Sequence, residues 1–150
     1  MTYDSKADTL EHIRTVQEFL GLFAISLIER GVAHDASKLV DPEKEAFDRM
    51  TPLLKSLTYG SDEYKASLAE LGVALKHHYA ANSHHPEHYE NGIDGMDLLD
   101  VVEMYCDWCA AIRRTKDGSM PKSLEVNKGR FAMSDQLVAI FENTSARFGS

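Results

Sequence analysis

TLEHIRTVQEFLGLFAISLIER, residues 9–30, sets Leu10, Ile13, Val16, Phe19, Leu20, Phe23, Leu27 and Ile28 mostly at steps of three and four. An α-helix brings such positions onto one face, so the stretch predicts an amphipathic helix, with Gly31 ending it.

The rest of the chain continues in the same register. Asp41-Pro42 predicts a helix start, with Asp41 as cap, Pro42 in the first turn, and Glu43 and Glu45 favourably placed near the positive end of the helix dipole. That helix is expected to reach Met50, and Thr51-Pro52 to open a short one ending near Leu57. Ser61-Asp62 caps a helix expected to reach Tyr79, Asp97 a long one reaching Arg114, and Ser134-Asp135 a last one reaching Thr144. Residues 80–95 read as a loop and residues 115–128 as an irregular stretch. No segment alternates as a strand does, and no repeat is visible. The fold is expected to be all-α, with the 150 residues forming one helical domain.

The net charge of −8 argues against binding a nucleic-acid polymer or an anionic membrane surface, because both require a basic face. No window approaches the roughly 20 apolar residues of a membrane span, and residues 1–9 are polar instead of forming an apolar signal core. A cytoplasmic protein with a small anionic ligand is the expectation, and a homodimer is a mild one. Cys106 and Cys109 lie within a predicted helix, supply only two of the four ligands of a structural zinc, and read as buried thiols.

Chemistry concentrates in the histidines. His34-Asp35 sets an imidazole beside a carboxylate, Lys38 follows three residues later, and HHYAANSHHPEH, residues 77–88, holds five histidines in twelve residues. Five clustered imidazoles repel one another when protonated and make poor core filler, whereas neutral imidazole with carboxylate is a ligand set for zinc, iron, manganese or nickel. Glu103 and Asp107 are four residues apart and share a face of their helix. Arg113, Arg114, Lys116, Lys122, Lys128 and Arg130 form a basic stretch against only Asp117 and Glu125, suited to closing over an anion.

In their order along the chain, His12, His34-Asp35, His78 with His84-His85, and Asp107 resemble the signature of the HD-domain metalloproteins, and the resemblance spans most of the chain. H-D-A-S-K is similar to the H-D-x-G-K form of the HD-GYP phosphodiesterases and of myo-inositol oxygenase, in which the lysine lies beside a multinuclear metal centre. The chain lacks the G-Y-P tripeptide and is compact for an HD-GYP domain, so that group's substrate is not carried over. The resemblance implies an HD-domain-like helical bundle holding one or two divalent ions (manganese, iron, zinc, cobalt or nickel, with magnesium also admissible). His12, His34, Asp35 and Asp107 would hold one ion, and Asp35, His78 and His84 or His85 the other. Asp35 would bridge the two, and Lys38 would neutralise phosphate oxygens.

The expected activity is phosphohydrolysis of a nucleotide or related small phosphate ester. His77, His88, Glu103, Arg113, Arg114, Lys128 and Arg130 are the candidate substrate contacts. A di-iron oxygenase of the HD type and a non-catalytic metal- or nucleotide-binding regulator are the competing expectations.

Overall fold

The computed structural model describes residues 3–58, 61–114 and 117–149, the side chain of Leu68 excepted. Among these residues it is all-α, without a strand. The chain divides into two units, Met1–His34 and Asp35–Ser150. The first is one helix, α1 (Lys6–Ala33), with His34 as its C-cap. It runs through Gly31, where the sequence predicts an end. One glycine costs a helix only about 1 kcal/mol relative to alanine, and Arg30 in the last turn offsets the negative end of the dipole. No helix among the described residues is long and apolar enough to cross a membrane.

The second unit contains α2 (Glu43–Ser56), α3 (Asp62–Glu70), α4 (Gly72–Ala81), α5 (Leu98–Ile112), α6 (Met120–Phe131) and α7 (Asp135–Phe148). Short 3-10 turns at Ala36–Leu39, Pro86–His88 and Gly92–Gly95 join them. Three sequence expectations are corrected here. The helix starting at Glu43 does not stop at Met50, because Pro52 is accommodated inside α2, which continues to Ser56 and packs on α4. The helix expected from Asp62 to Tyr79 is two helices, broken where Gly72 takes φ +35°, a backbone conformation that glycine adopts without a Cβ clash. The stretch expected to be irregular holds α6, with Ser119 at its N-cap and Pro121 in its first turn.

The core is built by α5, α6 and α7. Met104, Tyr105 and Trp108 pack against Met120, Leu124, Met133 and Phe141. Trp108 stacks parallel to Phe131 at 6.3 Å between ring centroids and meets Phe141 edge-on at 5.7 Å. Cys106 is exposed and Cys109 half-buried, which corrects the expectation of buried thiols; neither forms a disulfide.

The loop between α4 and α5 is pinned by a buried carboxylate. Asp97 caps α5 by accepting from the Asp100 backbone N–H, and Asp100 accepts in return from the Asp97 backbone N–H. Asp100 also accepts from Ser83 Oγ and Tyr89 Oη, both at 2.6 Å, which ties down the residue just before His84. Gly95 fits beneath this knot. A Cβ there would fall inside contact distance of Asn91 Oδ1 and 2.7 Å from Tyr89 Cβ. Gly95→Ala is therefore expected to strain the loop by about 1–3 kcal/mol, lowering Tm by roughly 2–12 °C. A thermal melt superimposable on wild type would show that the loop gives way freely.

Candidate metal centre

Four side chains from two short segments of the second unit converge. Asp35 sits at the head of the 3-10 turn Ala36–Leu39 in the left-handed conformation, φ 56°. That region costs most residues about 1–2 kcal/mol but suits the short polar side chain of aspartate better than most. His78 lies in the last turn of α4, and His84 and His85 follow at the start of the pinned loop. One ligand atom from each of Asp35, His78, His84 and His85 lies within 4.8 Å of all the others. His78 and His84 are only 1% and 2% exposed.

The orientation of the two buried rings follows from their outer partners. His78 Nδ1 lies 2.9 Å from Glu43 Oε2. Asn82 Nδ2 is also near that nitrogen, but its two hydrogens point to Ser37 Oγ and to the His78 carbonyl oxygen, both at 2.8 Å. The Nδ1 hydrogen of His78 therefore belongs to Glu43, and Nε2 carries a lone pair. His84 Nδ1 lies 3.1 Å from Glu103 Oε1, which places its hydrogen on the same side and again leaves Nε2 as the acceptor. Both Nε2 atoms face Asp35 Oδ1, at 3.3 Å from His78 and 3.6 Å from His84, and His78 Nε2 lies 2.9 Å from His85 Nε2.

Anionic oxygen and imidazole lone pairs aimed at one point form a cation site. Ligands on one ion with bonds of about 2.1 Å sit about 3.0–3.4 Å from each other, depending on whether the angle is square or tetrahedral. Three of the pairs, at 2.9, 3.3 and 3.6 Å, lie close to that range and all lie within 4.8 Å, so these residues fit a divalent metal. Two of the imidazoles, His78 and His85, are also held in the ligating, uncharged form. Burial, followed by the positive charge of Lys38, pushes His78 below its usual pKa against the pull of Asp35 and Glu43. Burial, then His84 and His78, pushes His85 down to about 3 against Asp107 and Asp35.

Glu43 is the buttress of the site. It is fully buried and takes three donors: Ser37 Oγ and His78 Nδ1 on Oε2, and His77 Nδ1 at 2.7 Å on Oε1. Burial acts to raise its pKa, but the hydrogen bonds from His77, Ser37 and His78 outweigh it and hold the carboxylate below its usual range. By sequence, Glu43 is a helix-start acid, and nothing in residue type or spacing connects it to histidines 34 and 35 positions away. Asp100, Ser37 and Asn82 are invisible to sequence reasoning for the same reason.

The cluster opens into a cavity of about 740 Å³ that is also lined by Lys38, Asp107, Arg114 and Arg130. A carboxylate oxygen of Asp107 comes within 4.8 Å of a His84 ring nitrogen. Lys38 lines the cavity with its Nζ 2.6 Å from Asp35 Oδ2 and 5.0 Å from the Phe47 ring centroid, so it neutralises the ligand carboxylate first. Arg130 lines it while paired with Glu87 and Tyr79 Oη.

Other expected contacts are placed elsewhere. His77 is half-exposed on Glu43, and exposed His88 has its Nδ1 2.9 Å from the Tyr79 carbonyl oxygen. Lys128 pairs with Asp135, and Arg113 is exposed at the end of α5. Glu103, expected to meet substrate, instead contacts His84. His12 and His34 belong to the first unit, and the four-residue cluster is drawn wholly from the second.

Fold and site together define an all-α protein whose second unit carries a buried His/Asp cluster able to hold a metal ion. The chain belongs to a family of unknown function, DUF5662, whose profile matches residues 1–147. No curated protein and no solved structure matches it.

Proposed function

We propose that the protein is a metal-dependent phosphohydrolase of HD-domain type, acting on a nucleotide or similar small phosphate ester. The observation that carries this reading is the convergence of Asp35 Oδ1 with the Nε2 lone pairs of His78 and His84, two histidines that line a cavity together with Lys38, Arg114 and Arg130. A cavity of about 740 Å³ is within the range that holds drug-sized or nucleotide-sized ligands. A divalent cation at the cluster supplies Lewis acidity, which makes water nucleophilic near neutral pH and offsets charge on a phosphoryl group.

The remaining roles belong to the chain. Asp35, His78, His84 and His85 hold the cation, with Asp107 in reach on α5. Glu43 and Glu103 keep two of the rings in the ligating tautomer. Arg114 and Arg130 draw the anionic ester into the cavity, and Lys38 tempers the charge of Asp35. Hydrolysis adds water at phosphorus, breaks the P–O bond to the leaving alcohol, and yields inorganic phosphate and the protonated alcohol.

The test is metal analysis of protein purified without chelator, then a phosphate-release screen over nucleotides and aryl phosphates with Mn²⁺, Co²⁺, Ni²⁺ or Mg²⁺. About one equivalent of metal or more, with release abolished by chelation and restored by metal, is the expected outcome. Protein that neither retains nor recruits metal overturns the reading. Iron with substrate-dependent oxygen consumption and no phosphate release would replace it by the oxygenase alternative, since a site of three imidazoles and one carboxylate also suits iron.

A further inference from the structure

A second cavity, of about 310 Å³, adjoins the first, and the two meet along Lys55, Leu57, Trp108, Ala111 and Arg114, which line both. Among the described residues it adds a third cation, Lys122, against a single carboxylate, Asp117. It also receives the start of α6. Gly118 and Ser119 line it, and the Ser119 side chain makes no capping hydrogen bond, so the orphan N–H groups of the first turn, those of Met120 and Lys122 since Pro121 has none, lack that partner. The shared wall sets the apolar Leu57, Trp108 and Ala111 beside the cations Lys55 and Arg114. Cations beside an apolar wall select a ligand that joins an anionic group to an apolar body.

We propose that the second cavity is a specificity subsite, and that the substrate is an organic phosphate carrying a second anionic group at the far end of an apolar or aromatic body. The scissile phosphate lies at the metal cluster, and the second anion lies among Lys55, Arg114, Lys122 and the start of α6. This rests on the phosphohydrolase reading for the first end only; the second end stands on the cavity's own lining.

The experiment pairs biphenyl phosphate with carboxybiphenyl phosphate, which differ only in the second anion, and reads both turnover and binding. Trp108 is the only tryptophan in the chain and lines both cavities, so its fluorescence reports occupancy without catalysis. The carboxylated ester is expected to show about tenfold higher kcat/KM and about tenfold tighter binding, the scale of one charge-assisted contact. Lys122→Glu, a change at an exposed position, is expected to erase that difference. Equal hydrolysis of the two esters, unaltered by Lys122→Glu, overturns the subsite and leaves the phosphohydrolase standing. If neither ester is hydrolysed, the phosphohydrolase reading fails, and the fluorescence titration decides the subsite alone: tenfold discrimination lost in Lys122→Glu supports it, and equal affinities overturn it.

Discussion

Asp35→Asn is expected to abolish the stabilisation that metal gives the wild-type protein, together with any phosphate release, while leaving the metal-free fold intact. Asparagine matches aspartate in size and tolerates the left-handed backbone found at φ 56°, so the substitution removes charge and ligand basicity with little backbone strain. At a metal concentration of about 100 Kd the wild-type chain gains about 2.7 kcal/mol. For 150 residues this raises Tm by roughly 5–11 °C. Loss of a direct ligand should weaken binding by at least the roughly hundredfold seen at the upper end for partners of ligands, which leaves a rise of under about 2 °C at the same concentration. The comparison is a pair of melts for each protein, with and without Mn²⁺ or Zn²⁺. A full metal-induced rise in Asp35→Asn would remove Asp35 from the site and undo the assignment of the cluster.

The parts of this molecule legible in its sequence are those that depend on neighbours in the chain. Helix content follows from apolar spacing and the Asp97 cap from local side-chain chemistry, and that cap forms as expected, whereas Asp41 does not cap α2, whose N-cap is Pro42 without a side-chain hydrogen bond. The errors arise where tertiary contacts override a local signal. Pro52 reads as a helix start because a proline inside a helix forfeits a hydrogen bond at about 3 kcal/mol, yet α2 carries it while packed on α4. Ser119 and Pro121 are ordinary helix-start residues, but the charges around them read as solvated loop, and α6 is hidden behind that composition.

The site divides along the same line. Residue type alone marks Asp35 and the histidine run as ligand chemistry, and the structure brings Asp35, His78, His84 and His85 together. Type alone cannot rank five histidines. His78 and His84 are distinguished by carboxylates behind their Nδ1 atoms, and those carboxylates sit on α2 and α5. His77, adjacent to His78, lies about 100° around the same helix. It reaches the other oxygen of Glu43 and is not among the residues lining the cavity. Burial and outer partners, which periodicity does not encode, decide which imidazole faces the cavity.

That dependence makes Glu43→Gln the sharpest probe of how the centre is built. Glutamine keeps the volume of the buried side chain but offers one carbonyl oxygen and one NH₂ where the carboxylate offers two acceptors. His77 Nδ1 and His78 Nδ1 approach different oxygens of Glu43, so in the variant one of them meets an NH₂ group. If that ring is His78, it must move its hydrogen to Nε2 and lose the lone pair it presents beside Asp35. If it is His77, the half-exposed ring can turn to water. Ser37 accepts from Asn82 and donates to the same oxygen as His78, so the carbonyl is held there and the NH₂ turns to His77; His78 keeps its tautomer but loses the anionic partner that raises the basicity of its Nε2.

The expected result is a loss of about 1–3 kcal/mol in stability from the missing acceptor and a metal Kd raised about 10–100-fold, measured by competition against a chromogenic chelator. His77→Ala removes the donor on the second oxygen of the same carboxylate and should leave metal affinity within about threefold of wild type, because its ring is neither a ligand nor the partner of one. Equal metal affinity in Glu43→Gln and wild type would mean that the carboxylate serves folding alone and that its charge does not strengthen His78 as a ligand. A similar loss in both variants would make the pair His77–Glu43, and not Glu43 by itself, the element that orients the ligand.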